Sequence, residues 1–169
     1  MERIETRTPF IGVVGTGTCP PELEELAAEV GREVARKGAI LICGGLGGVM
    51  NAAARGSKEL GGITLGILPG PDVNEASEFV DIPIATNMGQ ARNSIIVHTA
   101  DVLIAVGGGY GTLSEIALAL KIGKGVIALQ CQFQIPGVII AQTPIGAVDE
   151  ALTLVELGRK PPRIADTPS

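Results

Sequence analysis

Three short glycine-rich segments hold the residues best suited to chemistry: Gly15, Thr16, Gly17 and Thr18; then Gly44, Gly45, Leu46, Gly47 and Gly48; then Gly107, Gly108, Gly109, Tyr110, Gly111 and Thr112. Each follows an apolar run of strand length and precedes a helix-length segment. Glycine lets backbone N–H groups approach an anion closely, and the helix start behind it adds orphan donors and the positive end of a dipole. One such turn is a weak signal, because any tight turn into a helix favours glycine. Three in one chain predict a site for a phosphate or another anion.

Two charged residues accompany these loops. Glu115 follows the third loop, and Thr112, Leu113, Ser114 and Glu115 spell a capping box, so spacing alone favours a carboxylate bonded back to its own helix start. Arg92 stands near the start of the preceding helix, where a cation opposes the helix dipole and calls for an anionic partner; a solvated surface arginine is the plainer reading. Thr16 and Thr18 suit either a helix cap or a phosphate-binding hydroxyl. Tyr110, the only tyrosine, could stack on a ring or simply be exposed, and His98 reads as a packing or interface residue.

The elements that must position these groups follow from hydropathy. Apolar runs at 10–15, 39–43, 63–68, 101–106 and 126–129 predict strands, with weaker candidates at 80–85 and 137–141. Helices are predicted at 20–37, 47–60, 90–99, 112–122 and 145–157, the first opened by Pro20, Pro21 and Glu22 and closed by Arg36, Lys37 and Gly38. Strands without polar alternation, alternating with helices, predict a doubly wound, Rossmann-like α/β parallel sheet with helices on both faces. In the usual 3-2-1-4-5 order, the first and third glycine loops flank the reversal, where ligands bind, and the second lies one strand away. Residues 1–160 are expected to form a single domain and 161–169 a flexible tail.

Composition excludes several classes. The 169 residues are 46% hydrophobic and 18% charged, with 24 glycines and a net charge of −5. That is incompatible with disorder, and it argues against nucleic acid as a partner. No apolar stretch suits a membrane span and no signal-type run opens the chain, so the cytoplasm is the expected location. Cys19, Cys43 and Cys131, with the lone His98, support neither a disulfide framework nor a metal site. Pro20 occupies the third position of a would-be dinucleotide fingerprint, and no GxxxxGK[ST] occurs, which argues against NAD and ATP hydrolysis.

The run Gly108, Gly109, Tyr110, Gly111, Thr112, Leu113, Ser114, Glu115 resembles the PGGxGTxxE motif of the LOG family, long labelled possible lysine decarboxylases. The second glycine loop through Met50 is similar to that family's GGGxxGLMG segment, shortened, and Leu65 to Pro69 and Arg92 fall in matching order. The resemblance covers residues 11–129. It implies nucleoside 5′-monophosphate phosphoribohydrolase activity, with Glu115 and Arg92 as the catalytic pair. Gly107 stands where the motif has Pro, and Asn93 where LOG enzymes usually have Lys. These departures are closer to the molybdenum-cofactor-carrier-like branch, which binds a phosphorylated pterin.

The primary expectation is therefore a binding or carrier protein for a phosphorylated nucleotide or pterin. Its expected ligand contacts are Gly15, Thr16, Gly17, Thr18, Gly44, Gly45, Gly47, Gly48, Arg92, Gly108, Gly109, Tyr110, Gly111, Thr112 and Glu115. The hydrolase is the alternative, and a nucleotide-sensing module is a third reading. No cofactor is required, although a nucleotide or a molybdopterin-type ligand is expected to be bound and Mg²⁺ beside its phosphate stays open. Decarboxylation with pyridoxal phosphate needs a Schiff-base lysine. None of Lys37, Lys58, Lys121, Lys124 and Lys160 is well placed for one, and that activity is rejected. Apolar residues around much of helices 90–99 and 112–122 predict a homo-oligomer, dimer or tetramer.

Overall fold

The apolar runs pair side by side, none as a hairpin. In the computed structural model, which describes residues 7–158, seven strands form one sheet: β1 Phe10–Gly15, β2 Ile40–Cys43, β3 Thr64–Leu68, β4 Ile82–Ala85, β5 Val102–Val106, β6 Gly125–Leu129 and β7 Ile139–Ile140. Their order is β4-β3-β2-β1-β5-β6-β7. Every pairing is parallel, with Ile11 opposite Val102 and Gly15 opposite Val106 where β1 meets β5. The expected doubly wound order is therefore present, extended at its edges by β4 and β7. Strand order reverses at β1, between β2 and β5.

Five α-helices cover the sheet: α1 Pro21–Arg36, α2 Val49–Glu59, α3 Asn93–Thr99, α4 Tyr110–Lys121 and α5 Pro144–Glu156. Leu23, Val30 and Val34 of α1, Val49 and Ala53 of α2 and Val148 of α5 pack against Ile11, Val13, Leu41 and Ile104 on one face. Ile96 and Val97 of α3 and Ile116 and Ala119 of α4 pack on Val14, Ile42, Ile67 and Leu103 on the other. Both faces are thus buried, which is why the central strands are apolar without alternation.

Helices α1 and α2 cross in close contact through two glycines. A Cβ on Gly31 would meet the Ala53 carbonyl and lie 2.9 Å from the Ser57 nitrogen, and one on Gly56 would meet the Ala28 carbonyl. The crossing fixes where α2 begins, and hence where the second glycine loop sits.

Three helix starts differ from expectation by two or three residues. Helix α2 begins at Val49 rather than 47, after Gly48 in the left-handed region (φ 65). The 90–99 helix is a 3-10 turn, Gly89–Arg92, running into α3, because left-handed Asn87 (φ 52) and Gly89 (φ 55) make the chain enter through a tight turn. Helix α4 begins at Tyr110 rather than Thr112, because Gly109 takes the extended N-cap conformation inside the glycine loop. The expected flexible tail lies outside the described residues. No described helix is long and apolar enough to cross a membrane.

Candidate functional site

All three glycine loops emerge at the carboxyl edge of the sheet, at the ends of β1, β2 and β5. The first two are joined: the Val49 amide donates to the Thr16 carbonyl at 3.0 Å. Gly48 sits at φ 65, where a Cβ would run into the Thr16 carbonyl and lie 2.6 Å from the Gly17 carbonyl carbon. The third loop is tied to β6 and the segment after it, its Gly107 amide donating to Leu129 O at 2.9 Å and the Gln132 side-chain Nε2 to Gly108 O at 3.3 Å. Gly107 needs its φ of 58, and a Cβ there would lie 2.5 Å from Leu23 Cδ2.

Other glycines in the same loops have no such reason to be glycine. Gly17, Gly109 and Gly111 have neither positive φ nor any atom within 4 Å of a would-be Cβ, and at Gly47 the nearest atom is 3.9 Å away. Neither strain nor packing forbids a side chain there. In addition, the amides of Leu46, Gly47 and Gly48, and those of residues 108–112, meet no acceptor among the described residues. Such bare, unpaired N–H groups at helix starts suit an anion brought close to the backbone.

Arg92 is not a surface arginine. It is 7% exposed, and its guanidinium lies across the ends of β2 and β3: Nε donates to Ile67 O at 2.8 Å and Nη2 to Gly44 O at 3.3 Å. Nη1 donates to the Asn93 side-chain oxygen. Gly44 admits this group, because a Cβ there would lie 2.6 Å from Arg92 Nη2. Burial lowers the Arg92 pKa, partly countered by the charge of Glu115.

Glu115 is also 7% exposed, and it makes no capping box. With the helix starting at Tyr110, Glu115 falls in the second turn, too far along to reach the N-terminal amides. Burial pushes its carboxyl up to about 7, against the opposing pull of Arg92, and no hydrogen bond steadies the charged form. Among the described residues the two charges form no direct ion pair, yet each shifts the other. A buried acid poised near neutrality beside a fixed cation can hold or release a proton at working pH.

Thr16 Oγ1 donates to Thr18 O at 2.8 Å, and neither threonine caps α1, whose N-cap is Pro20. Thr112 is buried beneath Gly108, whose would-be Cβ lies 2.7 Å from the threonine Cβ. Tyr110 projects from the rim, 89% exposed, and His98 is exposed on α3. Lys37 and Lys124 precede β2 and β6, on the edge opposite the glycine loops, and Lys58 bonds to Asp81. No group of three or more metal-ligating side chains is gathered among the described residues.

Sequence reasoning missed the supports of the site. Asn93 holds Arg92, Gln132 braces the third loop, and Ser77 with Asn51 ties a distant segment to the second. Only Asn93 carried a signal, as a departure from the LOG pattern. The others are ordinary polar residues far away in the chain.

The model of the SLOG cluster4 family matches residues 8–156. An uncharacterised protein of Archaeoglobus fulgidus is 51% identical over 143 residues, 85% of this chain and 94% of that one. The molybdenum cofactor carrier protein of Chlamydomonas reinhardtii superposes with a TM-score of 0.83 at 41% identity, covering 89% of this chain and 99% of that one. Cytokinin riboside 5′-monophosphate phosphoribohydrolase of Mycobacterium tuberculosis is 39% identical over 99 residues, 56% of this chain. Those residues span 52% of the mycobacterial enzyme, about half its length.

Proposed function

The chain belongs to the SLOG cluster4 family, and on that premise we propose that it is a binding or carrier protein for a phosphorylated small molecule of the nucleotide or pterin class. The carrying observation is the set of glycines that neither strain nor packing requires, Gly17, Gly109 and Gly111, beside amides that find no acceptor. A phosphate would take those N–H groups at the starts of α2 and α4, where the dipoles favour it. The ring system would lie along the crevice above β1, within reach of Tyr110. Likeness to a molybdenum cofactor carrier protein over 99% of that chain supports the carrier reading.

One observation favours a second reading, hydrolysis of a nucleoside 5′-monophosphate. Glu115, buried without a hydrogen-bond donor beside Arg92, is the kind of acid that can take a proton from water near neutral pH. Water would add at the sugar C1′, the C1′–N bond would break, and the base would leave with the bond electrons. The carboxylate would steady the oxocarbenium-like sugar.

The test is a titration with AMP, GMP and a phosphorylated pterin, with free base followed by chromatography. Saturable binding without base release, weakened at least tenfold in Gly109→Ala at unchanged stability, is expected. Base released by wild type and lost in Glu115→Gln would establish the hydrolase. Absence of binding to every probe would refute both readings.

A homo-oligomer remains part of the proposal. Ile82 and Ile84 of the edge strand β4 are exposed, and Ile95 of α3 is half-buried. Light scattering that gave a monomer mass would refute it.

A further inference from the structure

The thirteen residues from Pro69 to Asp81 join β3 to β4 and carry no function so far. Residues 71–75 are exposed throughout, and the end of the segment is tied to β3, where Thr64 Oγ1 donates to Phe79 O at 2.6 Å and the Asp81 amide to Thr64 O at 3.0 Å. The segment's tie to the second glycine loop is Ser77. Its amide donates to Gly45 O at 2.9 Å, in the second glycine loop. Its hydroxyl donates to Asn51 Oδ1 in the first turn of α2 and accepts from the Phe79 amide at 3.3 Å.

We propose that Ser77 is a positioning residue for the second glycine loop, latching it through Gly45 and Asn51 so that its free amides stay aimed at the ligand. The inference rests on the anion-binding reading above. Its physical basis is the planar peptide unit. The Gly45 carbonyl and the Leu46 N–H belong to one trans peptide and point in opposite directions. Fixing that carbonyl on Ser77 therefore fixes the Leu46 N–H on the far side. Gly45 adopts a φ of 75 to present the carbonyl this way, and a Cβ on it would lie 3.3 Å from the Gly66 α-carbon. The second bond, to Asn51, holds the α2 start against the same segment. Carbonyl and helix start are thus held at once, and the amides of Leu46, Gly47 and Gly48 lie between them.

The test compares wild type with Ser77→Ala, Ser77→Thr and Asn51→Ala, reading amide hydrogen exchange across residues 44–50 and the Kd for AMP and for inorganic phosphate. Ser77→Ala and Asn51→Ala both remove the hydroxyl's bond to Asn51 and leave the Ser77 amide on Gly45, so they test whether the side-chain anchor is needed to hold that amide in place. Losing that anchor is expected to speed exchange in residues 44–50 about five- to tenfold and to weaken both ligands by a similar factor. Ser77→Thr, which keeps the hydroxyl, should restore both to within about twofold of wild type. Asn51→Ala should leave the urea midpoint unchanged or raised, because alanine is the better helix former, so faster loop exchange there marks the lost latch rather than a weakened fold. Unchanged loop exchange in both Ser77→Ala and Asn51→Ala would overturn the proposal. Should Ser77→Ala fail to fold, Asn51→Ala decides alone. If wild type binds neither AMP nor phosphate, the ligand reading falls, and the exchange data still support or overturn the latch.

Discussion

Replacing Glu115 with Gln removes a charge that the folded protein is poorly built to carry. Burial raises this carboxyl from the ordinary 4.5 to about 7, although Arg92 pulls it back down. Because the folded value lies above the unfolded one, between pH 4.5 and about 7 the folded chain keeps a proton that the unfolded chain has lost. Glu115 therefore lowers stability progressively as pH rises through that window. At roughly 1.4 kcal/mol per pH unit, the full cost is about 3 kcal/mol, on the order of 10 °C in Tm for a domain of this size. Gln is neutral at every pH and escapes it. Urea unfolding at about pH 4.5 and about pH 8.5 measures the difference. The two proteins should be similar in acid, where the folded Glu115 carboxyl is protonated, and Glu115→Gln should gain about 3 kcal/mol relative to wild type in base. A stability difference that stays flat between those pH values would refute the assignment of Glu115 as a buried acid poised near neutrality.

Gly44→Ala would place a methyl 2.6 Å from Arg92 Nη2 and also against Met50, so Arg92 must leave its seat. Ligand affinity should fall at least tenfold while Tm drops only modestly, as titration and calorimetry would register. Gly31→Ala drives a Cβ into the Ala53 carbonyl at the α1–α2 crossing, and backbone cannot swing aside. A loss of about 3 kcal/mol is expected in urea unfolding. Burial pushes the Cys43 thiol up to about 11, so a thiol reagent at neutral pH should label the half-buried Cys19 and Cys131 and leave Cys43 untouched until the chain unfolds.

Much of the scaffold was legible from local patterns. The uniform apolar runs of β1, β2, β3, β5 and β6 signalled a parallel sheet buried on both faces, and the β3-β2-β1-β5-β6 order matches the expected one. The start of α4 was misplaced, because Thr112 looks like a cap in one dimension. In three dimensions it is packed under Gly108 and the extended Gly109 takes the cap position. The same displacement removed the capping role from Glu115. Arg92 was read as either surface or anion-seeking, yet its partners are the neighbouring Asn93 side chain and two backbone carbonyls, 25 and 48 residues away in sequence.

Sequence by itself determined the element types, the α/β class and the presence of glycine turns suited to an anion, since these depend on neighbours within a few residues. The tertiary structure decided which glycines are demanded by packing and which are left bare. It also decided that Arg92 and Glu115 are buried together and that Ser77 reaches the second loop. Those outcomes depend on which strand ends and helix starts converge across the sheet. Spacing along a chain does not encode burial or a distant acceptor, and both the pKa of an acid and the seat of a guanidinium are set by exactly those two things.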